Sequence, residues 1–307
     1  MKRVPIVGML ALAAAAAAQD VPDQPRTAAA PAPQLRLVDM PLPTGAQRHL
    51  FNGRDLADWD AWLGYPDPAV TYRDAPGAVP IGTGSAGAQD FAVRTIDGAP
   101  AIWVRGATWG SLVHKSDLRD YHLRLQFKWG ERRFAPRLAE PQNNGLLYHT
   151  HGERGSVFGT WSPSVEFEIM RGSTGMVVMV GKQLRGRTDV VTDPSLIAPQ
   201  LRYRLGGREV DMINGTPTWN VEAATDAERP TGAWNTLDLY VVGDRAVHVV
   251  NGVPVAQVRD LATIAPDGTR VPLTHGRIQL QSEGAETWFR AITVEPIDTL
   301  PRIVAAR

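Results

Sequence analysis

The chain has 307 residues, with 32 basic and 32 acidic side chains, 9 tryptophans and no cysteine. It is 43% hydrophobic, so it can bury a full core, and a β domain of this length is commonly a single unit. The balanced charge argues against a nucleic-acid groove or an anionic membrane as partner, so a neutral small molecule fits better. The absence of cysteine excludes disulfides.

The N-terminal 18 residues have the three-part pattern of a secretory signal. A basic start at Lys2 and Arg3 is followed by an apolar middle and by small residues before Gln19. We therefore predict cleavage after Ala18 and a periplasmic or secreted protein. The apolar run is too short for a transmembrane span.

Composition divides the rest of the chain into a tether, one domain and a tail. Residues 19–47 are rich in proline and alanine without a period of 2 or 3.6, which is typical of a segment that cannot bury enough surface to fold. From His49 onward, short alternating apolar runs recur between glycine, proline and Asn-Gly turns. We predict one domain over residues 48–298 and a tail over 299–307.

Two strands in the middle of the chain carry the clearest signals. Over residues 120–130, apolar and polar side chains alternate, so one face is predicted to be buried and the other, with Lys128, to be polar. Over residues 164–170, the same period places Glu166 and Glu168 on one face, roughly 6.6 Å apart along the strand. Such a pair can act as acid and base, as cation ligands or as hydroxyl-binding groups; the ordinary alternative is a solvated strand face.

The C-terminal third predicts hairpins. Strand-like segments flank turns at residues 243–244 and 251–252. The segment 276–283 is predicted to be a strand whose polar face includes Gln281. These strands predict an all-β fold of two stacked antiparallel sheets, one of which offers a polar, concave surface.

His149 and His151 are candidate metal ligands. They lie two residues apart on a predicted strand, so both rings can face one side. Imidazole beside a carboxylate such as Glu166 suits Zn, Mn, Co or Ni better than Ca, and we predict a divalent metal ion. The alternative is one buried, hydrogen-bonded histidine and one loop histidine. Trp161, in a loop flanked by Gly, Ser and Pro, is predicted to stack on a sugar ring.

Six segments, in order, resemble the blocks of a known bacterial family. They are HLFNGRDLADWDAW (49–62), LVHKSDLRDYHLRLQFKWG (112–130), NNGLLYH (143–149), SVEFEIMRGSTG (164–175), WNTLDLYVVGDRAVHVVNGVPV (234–255) and GRIQLQSEGAETWFRAITV (276–294). The family is that of 3-keto-disaccharide hydrolases, also described as 3-keto-glucoside 1,2-lyase/2-hydroxyglucal hydratases. The resemblance implies a concanavalin-like jelly-roll sandwich and a sugar substrate already oxidised to a ketone at C3.

A C3 ketone acidifies the C2 proton, so the implied chemistry is β-elimination, which hydration can follow. In the elimination a base removes the C2 proton, a cation holds the enediolate and an acid protonates the departing glycosidic oxygen. By resemblance, His149 and Glu166 would bind the cation, and Gln281 and Arg290 match the LQ and FR elements that would bind substrate. Lys128, which matches the lysine of the FKWG block, is expected to act as a base or as a clamp on the ketone oxygen.

Glu168 is the other candidate for proton transfer. Lys115 is a weaker candidate than Lys128 for binding the ketone oxygen. The chain departs from the family pattern at Glu168 in place of Gln, Met176 in place of Asp, Glu283 in place of His and Ala291 in place of Asn.

Two other functions fit the same residues. Glu166 and Glu168 are near the separation of about 5–5.5 Å that a retaining glycoside hydrolase needs. Sandwich glucanases, however, resemble an E-x-D-x-E pattern, and the last acidic position is here Met170. A non-catalytic carbohydrate-binding module would use the same polar face without turnover.

Overall fold

A computed structural model describes residues 34–73, 75–84, 87–196 and 200–306. The predicted signal sequence and the first part of the predicted tether, to residue 33, lie outside these residues. No helix in the described part of the chain is long and apolar enough to cross a membrane.

Nearly all of the regular secondary structure in the described residues is β. The strands are β1 (Leu35–Val38), β2 (Arg48–His49), β3 (Trp59–Leu63), β4 (Phe91–Ile96), β5 (Ala99–Val104), β6 (Gly110–His114), β7 (Tyr121–Arg133), β8 (Asn143–Thr150), β9 (Ser164–Met170), β10 (Val177–Val180), β11 (Leu184–Thr192), β12 (Leu201–Tyr203), β13 (Arg208–Ile213), β14 (Asn220–Val221), β15 (Asn235–Val242), β16 (Arg245–Val250), β17 (Val253–Ile264), β18 (Arg270–Pro272), β19 (Arg277–Ser282), β20 (Ala285–Pro296) and β21 (Arg302–Ala305). A 3-10 turn (Pro68–Val70) and the one-turn helix α1 (Gly87–Asp90) complete the elements.

Two large antiparallel sheets stack into a sandwich. The front sheet has the strand order β14-β10-β9-β8-β19-β6-β3. The back sheet runs β12-β11-β17-β16-β15-β7-β20-β5-β4, with β13, β18 and β2 added beside β11, β17 and β20. The predicted all-β sandwich of two antiparallel sheets is confirmed.

Period-2 alternation builds the core. On β7 of the back sheet, Leu123, Leu125 and Phe127 are fully buried in the main apolar cluster. On β9 of the front sheet, Val165 and Phe167 belong to the same cluster. Their neighbours along each strand therefore point out of the sandwich, onto the two outer faces.

The C-terminal hairpins have the predicted turns. β15 pairs with β16 and β16 with β17. Asn251 and Gly252 both take positive φ, 51° and 83°, as the two central residues of a two-residue hairpin turn require.

A buried histidine joins the two sheets through polar contacts in the interior of the sandwich. His248 of β16 is fully buried; its Nδ1 lies 3.0 Å from the Gly175 carbonyl oxygen and its Nε2 lies 3.1 Å from the Tyr148 hydroxyl of β8. The ring also stacks on Phe167 at 4.2 Å between centroids. Burial lowers the pKa of His248 to about 4, so the ring is neutral and joins the two sheets without placing a charge in the core.

The ends of the chain differ from the prediction. β1 lies inside the predicted tether and β21 inside the predicted tail, yet they pair over four residues to form a third, two-stranded sheet. Ile303 of β21 is 5% exposed and belongs to the main core. Each segment is too short and too mixed to signal a strand alone; the partner 264 to 270 residues away supplies the hydrogen bonds.

We expect Ile303→Ala to lower the free energy of unfolding by about 2–5 kcal/mol, because it removes buried methyl groups from the core. The control is Arg302→Ala, whose side chain is 66% exposed and which should change it by less than about 1 kcal/mol. Urea unfolding measures both. Equal effects would contradict integration of β21 into the domain.

Candidate functional site

The outer face of the front sheet, here called the site face, carries the buried carboxylates. Glu166 and Glu168 of β9 point away from the core and are only 3% and 6% exposed, so they are not a solvated strand face. Glu168 lies opposite Gly145 of β8, and Glu166 lies opposite Leu147. Gln281 of β19, 2% exposed, extends the same group of polar side chains.

Gly145 makes the space in which these groups meet. A Cβ atom at this position would collide with Glu166 Oε1 and would lie 2.9 Å from Gln281 Oε1. The absence of a side chain on the central strand therefore lets the Glu166 carboxyl group lean over β8 toward Gln281.

A third carboxylate, Glu283, follows directly after β19 and is held by two loop residues. The Tyr72 hydroxyl donates to Glu283 Oε1 at 3.1 Å, and Arg137 Nη2 donates to the same oxygen at 2.5 Å. Arg137 Nη1 donates to Glu140 Oε2 at 2.7 Å. The Glu283 side chain is 5% exposed and that of Glu140 is 53%, so the guanidinium connects a buried carboxylate to one at the surface.

Aromatic rings line this site. Trp109 and Trp161 stack at 6.1 Å between centroids with an interplanar angle of 25°. Tyr72 lies 5.6 Å from Trp109 and 5.8 Å from Trp161, and it also contacts Phe158. The Arg137 guanidinium lies 5.3 Å from the Trp109 ring. Trp161, predicted to stack on a sugar, is thus in the wall of the site, mostly covered by the other rings.

Burial raises the pKa of all three carboxyl groups, and repulsion by neighbouring carboxylates adds to the shift at Glu166 and Glu168. Burial, then Glu168, then Glu283 hold the pKa of Glu166 well above its usual range. Burial and Glu283 raise the pKa of Glu168 to about 8. Burial also raises the pKa of Glu283, although Arg137 and Tyr72 oppose that shift. Arg137 acts to lower the pKa of each of the three.

Several buried polar atoms of the site have no hydrogen-bond partner among the described residues. They are Trp109 Nε1, Arg137 Nε, Asn143 Oδ1, Trp161 Nε1, Glu166 Oε1, Glu168 Oε1 and Gln281 Oε1. Buried polar groups are rarely left unpaired in a protein, and a local concentration of such donors and acceptors is what a polyhydroxylated ligand would satisfy.

His149 faces the other side of the front sheet. The register between β8 and β19 shifts between Leu147 and Thr150, and His149 takes a positive φ of 52° at this bulge. Its ring is fully buried near the Gly243 backbone of the back sheet, and burial lowers its pKa to about 4. The bulge turns the ring into the sandwich, away from Glu166.

His151 is also separate from Glu166 and Glu168. Its Nδ1 is 2.8 Å from the His149 carbonyl oxygen, and it lines a separate pocket of about 230 Å³ with Asp117, Arg154 and His275.

The predicted ligands His149, His151 and Glu166 therefore do not come together. In the part of the chain that the structure describes, no three His, Cys, Asp or Glu side chains are arranged to hold a metal ion. The side chains present therefore do not fit the predicted cation.

Two further predicted residues lie on the outer face of the back sheet. Lys128 pairs with Asp97 at 3.0 Å, and its Nζ lies 5.9 Å from the Trp234 ring. Arg290 covers the same ring at 3.8 Å and donates to Gln126 at 2.8 Å. Because β7 and β20 belong to the back sheet, the whole sandwich separates these two cations from Glu166 and Glu168.

Lys115 lies at the edge of the front sheet. It donates to the Ala57 carbonyl at 2.6 Å, lies 3.8 Å from Asp60 and is 53% exposed. Of the predicted site residues, the structure brings together Glu166, Glu168, Gln281 and Trp161. It adds Arg137, Tyr72, Trp109 and Glu283, of which only Glu283 carries a signal in the sequence, as a departure from the family pattern.

Comparison with known proteins identifies the family. The model of the 3-keto-alpha-glucoside-1,2-lyase-like domain matches residues 46–295. No curated protein matches the chain. Among solved structures, a candidate glycosyl hydrolase from Parabacteroides distasonis is 17% identical, with 82% of this chain and 100% of that chain covered and a TM-score of 0.45.

A protein of unknown function with a galectin-like fold from Bacillus subtilis is 12% identical, with 85% of this chain and 100% of that chain covered and a TM-score of 0.45. A non-specific endo-beta-1,3(4)-glucanase of family GH16 is 10% identical, with 90% and 97% covered and a TM-score of 0.42. The family match extends over most of the sandwich, from β2 to the end of β20, and so includes every strand of the site. The chain therefore belongs to the family of 3-keto-alpha-glucoside-1,2-lyase-like domains.

Proposed function

We propose that this protein is an exported enzyme that cleaves 3-keto-glycosides by β-elimination, followed by hydration, with net hydrolysis of the glycosidic bond. Membership of the family supports a carbohydrate-active function. The observation that carries the proposal is the pair of buried carboxyl groups on β9. Both have raised pKa values, and they lie among buried polar atoms that have no hydrogen-bond partner within the described residues.

The two carboxyl groups suit different roles. Glu166 has its pKa well above the usual range, so it remains protonated and can donate to the departing glycosidic oxygen. Glu168, with a pKa of about 8, is ionised at mildly alkaline pH and can accept the C2 proton. Neighbouring positions on one strand face hold both groups against the same ring of a sugar.

The elimination balances with these two groups. Glu168 takes the proton from C2, and the electrons of that C–H bond move toward C3 as the ketone oxygen becomes an enolate. The C1–O bond then breaks, C1 and C2 become doubly bonded, and Glu166 protonates the leaving oxygen. Water then adds its hydroxyl group to C1 and gives its other proton to the Glu166 carboxylate, while Glu168 returns the first proton to C2; this gives the free 3-keto sugar and restores both carboxyl groups.

A glycoside hydrolase acting through a carboxylate nucleophile is less well supported. Such an enzyme needs one carboxylate that is ionised throughout the neutral pH range, whereas a pKa of about 8 leaves Glu168 mostly protonated there and the pKa of Glu166 is also raised well above its usual range. A carbohydrate-binding module would not need two buried, protonatable carboxyl groups.

We expect the purified protein to release the aglycone from a 3-keto-glucoside and not from the unoxidised parent, because only the ketone acidifies the C2 proton. Aglycone release is followed by chromatography, with the parent glucoside as control. Release from the parent would support the two-carboxylate hydrolase, and binding of either sugar without release would support a binding module.

We expect Glu168→Gln and Glu166→Gln each to lower kcat by about 10²–10⁴-fold, since each removes one proton-transfer group. The matched control is Glu286→Gln, a buried glutamate on the back sheet, which should keep kcat within a few-fold. Thermal unfolding checks that all three variants fold. Retention of kcat by either site variant would remove that residue from the proposed chemistry.

The dependence of kcat/KM on pH should follow the two carboxyl groups. Because Glu168 must lose its proton to act as base, the rate should rise as pH approaches and passes about 8. Because Glu166 must keep its proton, the rate should fall again at higher pH. A profile measured from pH 5 to 10 that is highest near pH 5 would contradict these roles.

A further inference from the structure

The carboxylate cluster contains a cation of its own. The Arg137 side chain is 18% exposed, donates to buried Glu283 and acts on the pKa of Glu166, Glu168 and Glu283 alike. Burial alone would lower the pKa of Arg137, but these neighbouring carboxylates raise it above its usual range. The guanidinium is therefore permanently charged within the group of carboxylates.

This arrangement opposes a divalent cation at the same place. Glu283, which stands where the resemblance leads one to expect a histidine, has its carboxylate engaged by Arg137 and Tyr72. His149 points into the sandwich instead of toward Glu166. A metal ion would thus lack imidazole ligands and would be repelled by a fixed positive charge.

We propose that Arg137 supplies the positive charge that holds the enediolate oxygen during elimination, so that turnover does not require a metal ion. This inference rests on the proposed function. As Glu168 takes the C2 proton, the Arg137 guanidinium stabilises the negative charge that develops on the ketone oxygen. When the C1–O bond breaks, the enolate electrons re-form the ketone and make the C1–C2 double bond, and the negative charge leaves on the glycosidic oxygen, which Glu166 protonates.

The orientation of the guanidinium supports this role. Two of its nitrogens are engaged, Nη2 by Glu283 and Nη1 by Glu140, and the Trp109 ring lies 5.3 Å away. Its Nε is buried and has no partner among the described residues. Held through both Nη atoms, the guanidinium keeps its positive charge in a fixed place beside the carboxyl groups, as stabilisation of a developing oxyanion requires.

Glu283 and Tyr72 act as positioning residues. Glu283 accepts from Arg137 Nη2 and from the Tyr72 hydroxyl, so Tyr72 acts on Arg137 through Glu283; the two residues come from separate segments, the loop near residue 72 and the end of β19. The site therefore needs both segments in place before Arg137 is oriented.

The test compares Arg137→Met and Arg137→Lys with the wild type. The matched control is Arg132→Met: Arg132 also pairs with a glutamate, Glu286, at 2.7 Å and lies 5.3 Å from a tryptophan ring, but on the back sheet. We expect Arg137→Met to lose about 10²–10³-fold in kcat with a smaller change in KM. The kcat of Arg137→Lys should lie between those of Arg137→Met and the wild type. Added guanidinium should partly restore the kcat of Arg137→Met and leave that of Arg132→Met unchanged.

Two metal measurements complete the test. Wild-type aglycone release should be unchanged after treatment with a chelator, and equilibrium dialysis against Zn, Mn, Co and Ni should show no stoichiometric binding. Loss of activity on chelation with recovery on adding a metal, stoichiometric metal binding by the wild type, or full activity of Arg137→Met would each overturn the inference.

The proposed function and this inference fail differently. If the wild type releases no aglycone from any 3-keto-glucoside, the proposed function fails. Dialysis would still test the inference, because stoichiometric metal binding by the wild type would overturn it and its absence would support the guanidinium as the charge of the site.

Discussion

The site depends on the burial of three carboxyl groups beside one guanidinium. An isolated ionised carboxylate is costly to remove from water, so a protein must protonate it or give it a partner. Both solutions are present: Glu166 and Glu168 retain protons to unusually high pH, whereas Glu283 pairs with Arg137. The low dielectric that makes this burial costly also strengthens the charge interactions between these groups.

The sandwich holds these groups in place. The inward side chains of β9 lie in the main core, which fixes the strand that carries Glu166 and Glu168. Gly145 on the neighbouring strand leaves the volume over which they lean. The loops with Tyr72, Arg137 and Trp161 pack over this face, so the candidate site combines a rigid sheet with a set of packed loops.

The two outer faces of the sandwich have different roles. Lys128 and Arg290 fall within segments that resemble the family, but they bind Asp97, Trp234 and Gln126 on the back sheet. There they hold together β7, β20 and the segment before β15. A residue within a family block can therefore belong to the scaffold as well as to the site, and only its face of the sheet tells the two apart.

The sequence by itself determined the β-strands, the hairpin turns and the shared face of Glu166 and Glu168, because alternation and turn residues are local properties of the chain. The tertiary structure decided what no local pattern contains. A bulge turns His149 into the core, β1 pairs with β21, and Arg137 contacts Glu283, which is far from it in sequence. Period 2 states only that two residues share a face. Which face becomes a site depends on which sheet the strand joins and which distant loops cover it.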